Sequence, residues 1–202
     1  MPEERPALVS PGPRFTLIVV TSRDGYIAPP DGASPRAWAS AEEQRHFHGL
    51  MAGLDWAFMG RRTHELAWRP DRRRVVFTGA LAGPEWRHPL HLWVDPARVG
   101  LEAMLARLVA VHPARMCGIL GGVAVHDWFA ARGLIDAVEL TIEPLTFAGG
   151  LPLLSWAKGA EPLATLTGLG LRQVDERALN AGGTRLLRLE RPSGPAVQPM
   201  IE

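Results

Sequence analysis

The 202-residue chain has one cysteine, no excess of charge of either sign, no internal repeat and no long apolar run. The lone Cys117 cannot close an internal disulfide, and its strand-like apolar surroundings read as inert core rather than as a nucleophile's setting. A formal net charge of +1 supplies no global field to attract nucleic acid, and the run from Arg69 to Arg74 reads as a solvated turn. No stretch reaches the roughly 18 apolar residues needed to cross a bilayer. Residues Met1 to Pro13 are rich in proline and lack the apolar core of a secretion signal. The expectations are a cytoplasmic protein with no membrane span and no nucleic-acid partner. His46, His48 and His64 lie close in sequence, but helical spacing turns His46 away from His48, so no metal site is expected.

What is present is a chain that is 47% apolar and 21% charged, which suits one domain with a full core. That domain is expected over residues 14–190, with an extended or disordered segment at 1–13 and an extended tail at 191–202. Arg14 to Thr21 is a β-branched run that reads as a buried strand. Ser40 is a plausible N-cap, and Phe47, Leu50, Met51 and Leu54 then recur at helical intervals, predicting a helix from about Ala41 to Ala52. Strand-like and helix-like runs alternate from there: strands at Asp55 to Met59, Arg74 to Phe77, His91 to Val94, Arg115 to Leu120 and Ile135 to Ile142, helices at Gly60 to Leu66, Leu101 to Val111 and Val123 to Ala131. Gly168 to Asp175 and Thr184 to Leu189 look like a closing antiparallel pair. The order predicts an α/β fold, a mostly parallel central sheet with helices on both faces and a C-terminal antiparallel hairpin.

Two turns in this order, Gly60-Arg61-Arg62-Thr63 and Ile119-Leu120-Gly121-Gly122-Val123, each close a strand and open a helix. The first turn of a helix carries unpaired N–H groups and partial positive charge, so it accepts phosphate. Glycines 121 and 122 let backbone approach a pyrophosphate, and Arg61, Arg62 and Thr63 add charged forks and a hydroxyl. Ligands of parallel sheets bind beyond the carboxyl ends of the strands, where Gly60, Thr78 and Gly121 all fall.

The sequence resembles the dihydrofolate reductase superfamily, in particular the branch that includes the reductase domain of riboflavin biosynthesis. The resemblance rests on Thr21 to Ala28, on Trp38 with Ser40 to Glu43 and Phe47, and on Met59 to Glu65. It continues through Leu120 to Val125, Leu134 to Leu140, Pro144 and Gly149-Gly150, and so spans Phe15 to Leu154. It implies NADPH as cofactor: Arg61 and Arg62 on the 2′-phosphate, Thr63 on the pyrophosphate, Thr78 on the adenosine side. It further implies the Gly60 turn at the adenosine phosphate end, Gly121 and Gly122, with the backbone of Val123 and Ala124, beside the diphosphate and nicotinamide, a cis peptide between Gly121 and Gly122, and backbone of Val20 and Ile27 on the carboxamide. A small-molecule substrate and a homodimer are expected on the same ground.

In the folate-reducing branch a carboxylate five residues after a tryptophan and four before a phenylalanine serves the proton step, and Trp38, Glu43 and Phe47 repeat that spacing. Glu43 is equally placed as the capping-box partner of Ser40. Thr141 is implied as a group that orients the acid or a bridging water, and Trp38, Phe47 and Leu120 as the substrate wall. Asp24 is a second candidate carboxylate, or simply the residue that shapes the Asp24-Gly25 turn. Tyr26 stands where the riboflavin branch commonly has lysine, and Leu120 where it has an acid, which turns the expectation away from a phosphoribosyl-pyrimidine. Hydride transfer to a small C=N, sugar-imine or pterin-like substrate is the expected activity. The alternative is a catalytically idle NADPH-binding protein on the same fold, lacking an organised acid at Glu43.

Overall fold

A computed structural model describes residues 12–192. The chain runs through strands β1 (Arg14–Thr21) and β2 (Tyr26–Ala28), a 3-10 turn (Pro35–Ala37), helix α1 (Ala41–Ala52), β3 (Trp56–Gly60), α2 (Arg61–Leu66), β4 (Arg74–Phe77), β5 (Glu85–His88) and β6 (His91–Val94). It continues through α3 (Leu101–Val109), β7 (Met116–Gly121), α4 (Val123–Ala130), β8 (Ala137–Ile142), β9 (Leu151–Pro152), α5 (Pro162–Gly168), β10 (Arg172–Ala178) and β11 (Arg185–Glu190). Nine of these strands form one sheet in the order β10-β11-β8-β1-β7-β3-β4-β6-β5, and β2 pairs with β9. The six strands from β8 to β6 are parallel, while β10, β11 and β5 are antiparallel to their neighbours.

Alternation along the strands decides which helix covers which face. Phe15 and Leu17 point to the face of α4, where Phe15 and Phe58 lie 5.2 and 5.3 Å from the Phe129 ring. Val20 and, on β8, Glu139 and Thr141 point to the other face, which α1 covers through a His46–Glu139 contact of 3.3 Å. The expected mostly parallel sheet with helices on both faces and a C-terminal hairpin is what the chain forms. The parallel strands also bring the ends of β1, β3, β4, β7 and β8 to a single edge, and this edge positions the site.

The bounds expected for β1, α1, β4 and β6 coincide with those observed. The strand expected over Gly168 to Asp175 is displaced: Gly168 ends α5, and β10 begins only at Arg172. All seven residues of β10 are exposed, so it lacks the apolar alternation from which strand bounds are read. The expectations for 1–13 and 191–202 fall outside the described residues, save for the two residues at each inner end.

Candidate functional site

Gly60 closes β3 and N-caps α2, while Gly121 closes β7 and Gly122 N-caps α4, with a cis peptide between Gly121 and Gly122. The two turns abut. A Cβ placed on Gly60 would stand 3.8 Å from the Gly122 nitrogen and 4.0 Å from the Gly121 carbonyl oxygen. No side chain caps α4, in contrast to α1, where Ser40 Oγ accepts from the Glu43 N–H, so the Val123 and Ala124 end of α4 faces the edge with its partial positive charge unopposed. Arg61 and Arg62 are exposed at the start of α2. Arg61 reaches Glu65 at 3.5 Å, a surface pair worth little, and Arg62 has no ion pair among the described residues. Thr63 and Thr78 are half-buried, and the Thr78 N–H donates to the Val94 carbonyl at 2.9 Å.

Behind the glycine pair lies His126, 1% exposed, a residue that sequence reasoning did not single out. Its Nδ1 is 2.9 Å from the Leu153 carbonyl oxygen and must donate to it, which makes Nε2 a bare acceptor, buried and without a partner. Burial lowers the pKa and keeps the ring neutral. Gly121 has φ of +88°, and a Cβ there would fall 2.6 Å from His126 Nε2. Gly121→Ala is expected to cost roughly 2–4 kcal/mol from the disfavoured φ and the overpacking together, read as a lower urea midpoint at unchanged slope.

Across the edge, on α1, Glu43 is 6% exposed. The Ser40 N–H that a capping box would give to Glu43 goes instead to Glu143 Oε1, at 2.7 Å. The Glu43 carboxyl makes no hydrogen bond with another described residue: its N–H donates to Ser40 Oγ, but the carboxyl half of a capping box is not made. Burial first, and the Glu143 charge second, raise its pKa to about 7. Glu143 Oε2 accepts from the Thr184 hydroxyl at 2.6 Å, and Thr184 Oγ1 accepts in turn from Asn180 Nδ2 at 3.0 Å. Thr141 is 2% exposed on the same face of β8 as Glu143 and pairs in register with Val20. Glu143 escaped sequence reasoning, although its spacing of two from Thr141 puts both on one wall.

Trp38, Phe47, Leu120 and Ile27 are half-buried. Trp38 meets Phe147 edge-on at 5.1 Å, and its Nε1–H donates to the Ala33 carbonyl at 3.3 Å. Asp24 accepts from Ser22 Oγ at 2.7 Å and from the N–H groups of Phe147 and Ala148 at 3.2 and 2.8 Å. Partial burial pushes its pKa up, but these hydrogen bonds outweigh it and hold the carboxyl below its usual value. Its oxygens are engaged in tying the loop after β1 to the loop after β8. Cys117 is fully buried, and burial with the nearby Asp55 pushes its thiol up to about 12. Among the described residues no helix is long and apolar enough to cross a membrane, and no three His, Cys, Asp or Glu side chains gather as a metal site would need.

The RibD C-terminal domain model matches residues 13–178. Among solved structures, a riboflavin biosynthesis protein from Shewanella sp. PV-4 superposes with a TM-score of 0.67 at 20% identity, covering 89% of this chain and 99% of that one. Dihydrofolate reductase from Enterococcus faecalis, complexed with NADP(H), gives 0.60 at 17% identity, covering 89% and 97%. The Thermotoga maritima diaminohydroxyphosphoribosylaminopyrimidine deaminase/5-amino-6-(5-phosphoribosylamino)uracil reductase gives 0.63 at 16% identity, covering 89% of this chain and 57% of that longer one. No curated protein sequence matches the chain.

Proposed function

Since the chain belongs to the RibD C-terminal domain family, we propose that it binds NADPH along the glycine edge and reduces a small C=N-containing substrate held against α1. The observation that carries this reading is the abutment of the Gly60 and Gly121 turns on the same sheet edge as a buried carboxyl at Glu43. The residues present fit a phosphorylated dinucleotide. Arg61 and Arg62 are free to turn to a 2′-phosphate, with Thr63 on the pyrophosphate and Thr78 on the adenosine side, and the uncapped α4 start with the Cβ-free Gly121-Gly122 leaves room for the diphosphate. Bound there, NADPH would supply the hydride.

The protein's own part is binding, exclusion of water and a proton. Backbone of Val20 and Ile27 would orient the carboxamide, and Trp38, Phe47 and Leu120 would wall the substrate. Glu43 as a neutral carboxylic acid gives its proton to the nitrogen while hydride reaches the carbon, so C=N becomes CH–NH and Glu43 is left as a carboxylate, reprotonated from solvent. A buried acid whose pKa is raised to about 7 favours this enzyme over an idle NADPH-binding protein. The test is a thermal shift with NADPH and NADH, then NADPH oxidation with a panel of imines, pterins and aminopyrimidines. At about 100 times its dissociation constant NADPH adds roughly 2.7 kcal/mol of stability. No shift with either nucleotide overturns the proposal.

A further inference from the structure

Glu43 and Glu143 are both buried and both gathered around Ser40: its Oγ accepts from the Glu43 N–H at 3.3 Å, and its N–H donates to Glu143 Oε1 at 2.7 Å. The two carboxyls differ in what surrounds them. Both oxygens of Glu143 accept hydrogen bonds, one from a backbone N–H and one from the Thr184 hydroxyl, which is the role of a carboxylate. The Thr184 proton is directed at Glu143 because Thr184 Oγ1 itself accepts from Asn180. Asn180 and Thr184 belong to the turn between β10 and β11, where the Thr184 N–H donates to Asn180 Oδ1 at 3.2 Å and the Leu179 N–H to the Thr184 carbonyl at 2.8 Å. Glu43 has none of this support.

Resting on the reductase reading above, we infer that Glu143 is a positioning residue for the proton step, fixed by Ser40 and by the Asn180–Thr184 turn so that its charge keeps the neighbouring Glu43 in the proton-donating form. Several other charged groups around α1 are engaged elsewhere, while His48 and the β10 residues Arg172, Asp175 and Arg177 are exposed, and Arg23 and Glu161 line a pocket with Ile142, Gly183 and Arg185. On β8 and β11, Glu139 is held by His46 at 3.3 Å and by Arg188 at 3.0 Å. On α1 itself, Glu42 is held by Arg45 at 2.6 Å and by Asn180 at 3.2 Å, and on the hairpin Arg185 pairs with Glu176 at 2.7 Å. Of the charged groups on these elements, Glu143 alone adds to burial in acting on Glu43. After each turnover the new Glu43 carboxylate would lie beside a charged Glu143, and that repulsion drives uptake of the next proton from solvent.

The test needs neither cofactor nor substrate. In protein labelled with carboxyl-13C glutamate, an NMR titration of the wild type shows one side chain titrating near pH 7. That signal is absent from Glu43→Gln. In Glu143→Gln it moves down by about one pH unit and stays above the ordinary glutamate range, because burial remains. A Glu43 titration left in place by Glu143→Gln overturns the inference, since a purely structural tie through Ser40 and Thr184 would have no such effect on it. If Glu143→Gln does not fold, Thr184→Val, which frees Glu143 from the hairpin, decides in its place: a Glu43 titration left unchanged there overturns the inference. In the NADPH-oxidation assay, the pH at which kcat/KM falls moves down with the same variant. Loss of NADPH binding would remove the reductase reading and leave the titration result standing, so the two failures are distinguishable.

Discussion

Glu43→Gln lowers turnover by roughly 10²- to 10⁴-fold while leaving the fold and NADPH affinity in place, the effect of removing a positioned general acid. Gln has the shape and neutrality of the protonated glutamate, and the Glu43 carboxyl makes no hydrogen bond that the substitution would break. Wild-type turnover should fall as pH rises through about 7, where Glu43 loses its proton, and the residual activity of the variant should lack that limb. The same group ties stability to pH. Its folded pKa of about 7 stands above the 4.5 of the unfolded chain, so the folded state holds the extra proton between those values. The favourable contribution is complete below pH 4.5 and is lost as pH rises through 7, leaving a buried charge that costs roughly 3 kcal/mol. Glu43→Gln should therefore gain on the wild type in urea unfolding between pH 5 and pH 8. A variant that keeps wild-type turnover, or that tracks the wild-type stability across this range, removes Glu43 from the proton step.

The paired substitution Arg61→Ala, Arg62→Ala abolishes most of the preference for NADPH over NADH. Each charge-assisted bond to a phosphate contributes roughly 1.5–3 kcal/mol, so losing both weakens NADPH by about a hundredfold or more. NADH lacks the 2′-phosphate, and its affinity serves as the internal control. Calorimetric titration of both nucleotides reads the ratio, and its dependence on salt should flatten in the double variant. Both side chains are exposed and the Arg61–Glu65 contact is a surface pair, so the melting temperature without nucleotide should hardly move. A double variant that retains the preference places the 2′-phosphate elsewhere on the edge.

The parts of the fold that were legible in the sequence are those with a local physical signature. The buried β-branched run of β1 and Phe47, Leu50 and Met51 recurring along α1 announce their elements, and the two glycine turns announce the edge. Helix α5 was not read because its start has neither Ser, Thr, Asn nor Asp: Glu161 caps it by accepting from the Ala164 N–H at 2.6 Å, and Pro162 at the first helical position was the one available sign. Strand β5 lies at the sheet's outer edge with its residues alternating between exposed and half-buried, too short to show a pattern. At the site, Trp38, Glu43 and Phe47 were legible because their spacing resembles that of the folate-reducing branch, with Trp38 ahead of α1 and the other two on it. Glu143 was not, because what makes it matter is a hydrogen bond to Ser40, 103 residues earlier, and no local pattern carries that. Whether the Glu43 carboxyl closes a capping box also turns on that contact: Ser40 has one N–H to give, and Glu143, just past β8, receives it.

The loops at this end of the sheet are tied to one another. Asp24, in the loop after β1, receives the N–H groups of Phe147 and Ala148 from the loop after β8, and the Phe147 ring stands against Trp38, ahead of α1. Three segments distant in sequence are thus fastened to one another by a single carboxylate and one pair of rings. Lengthening or shortening any of them shifts the other two, so these loops cannot be remodelled one at a time. New substrate preferences on this scaffold would arise from concerted replacement of all three, with Asp24 as the knot that each new set of loops must either keep or replace.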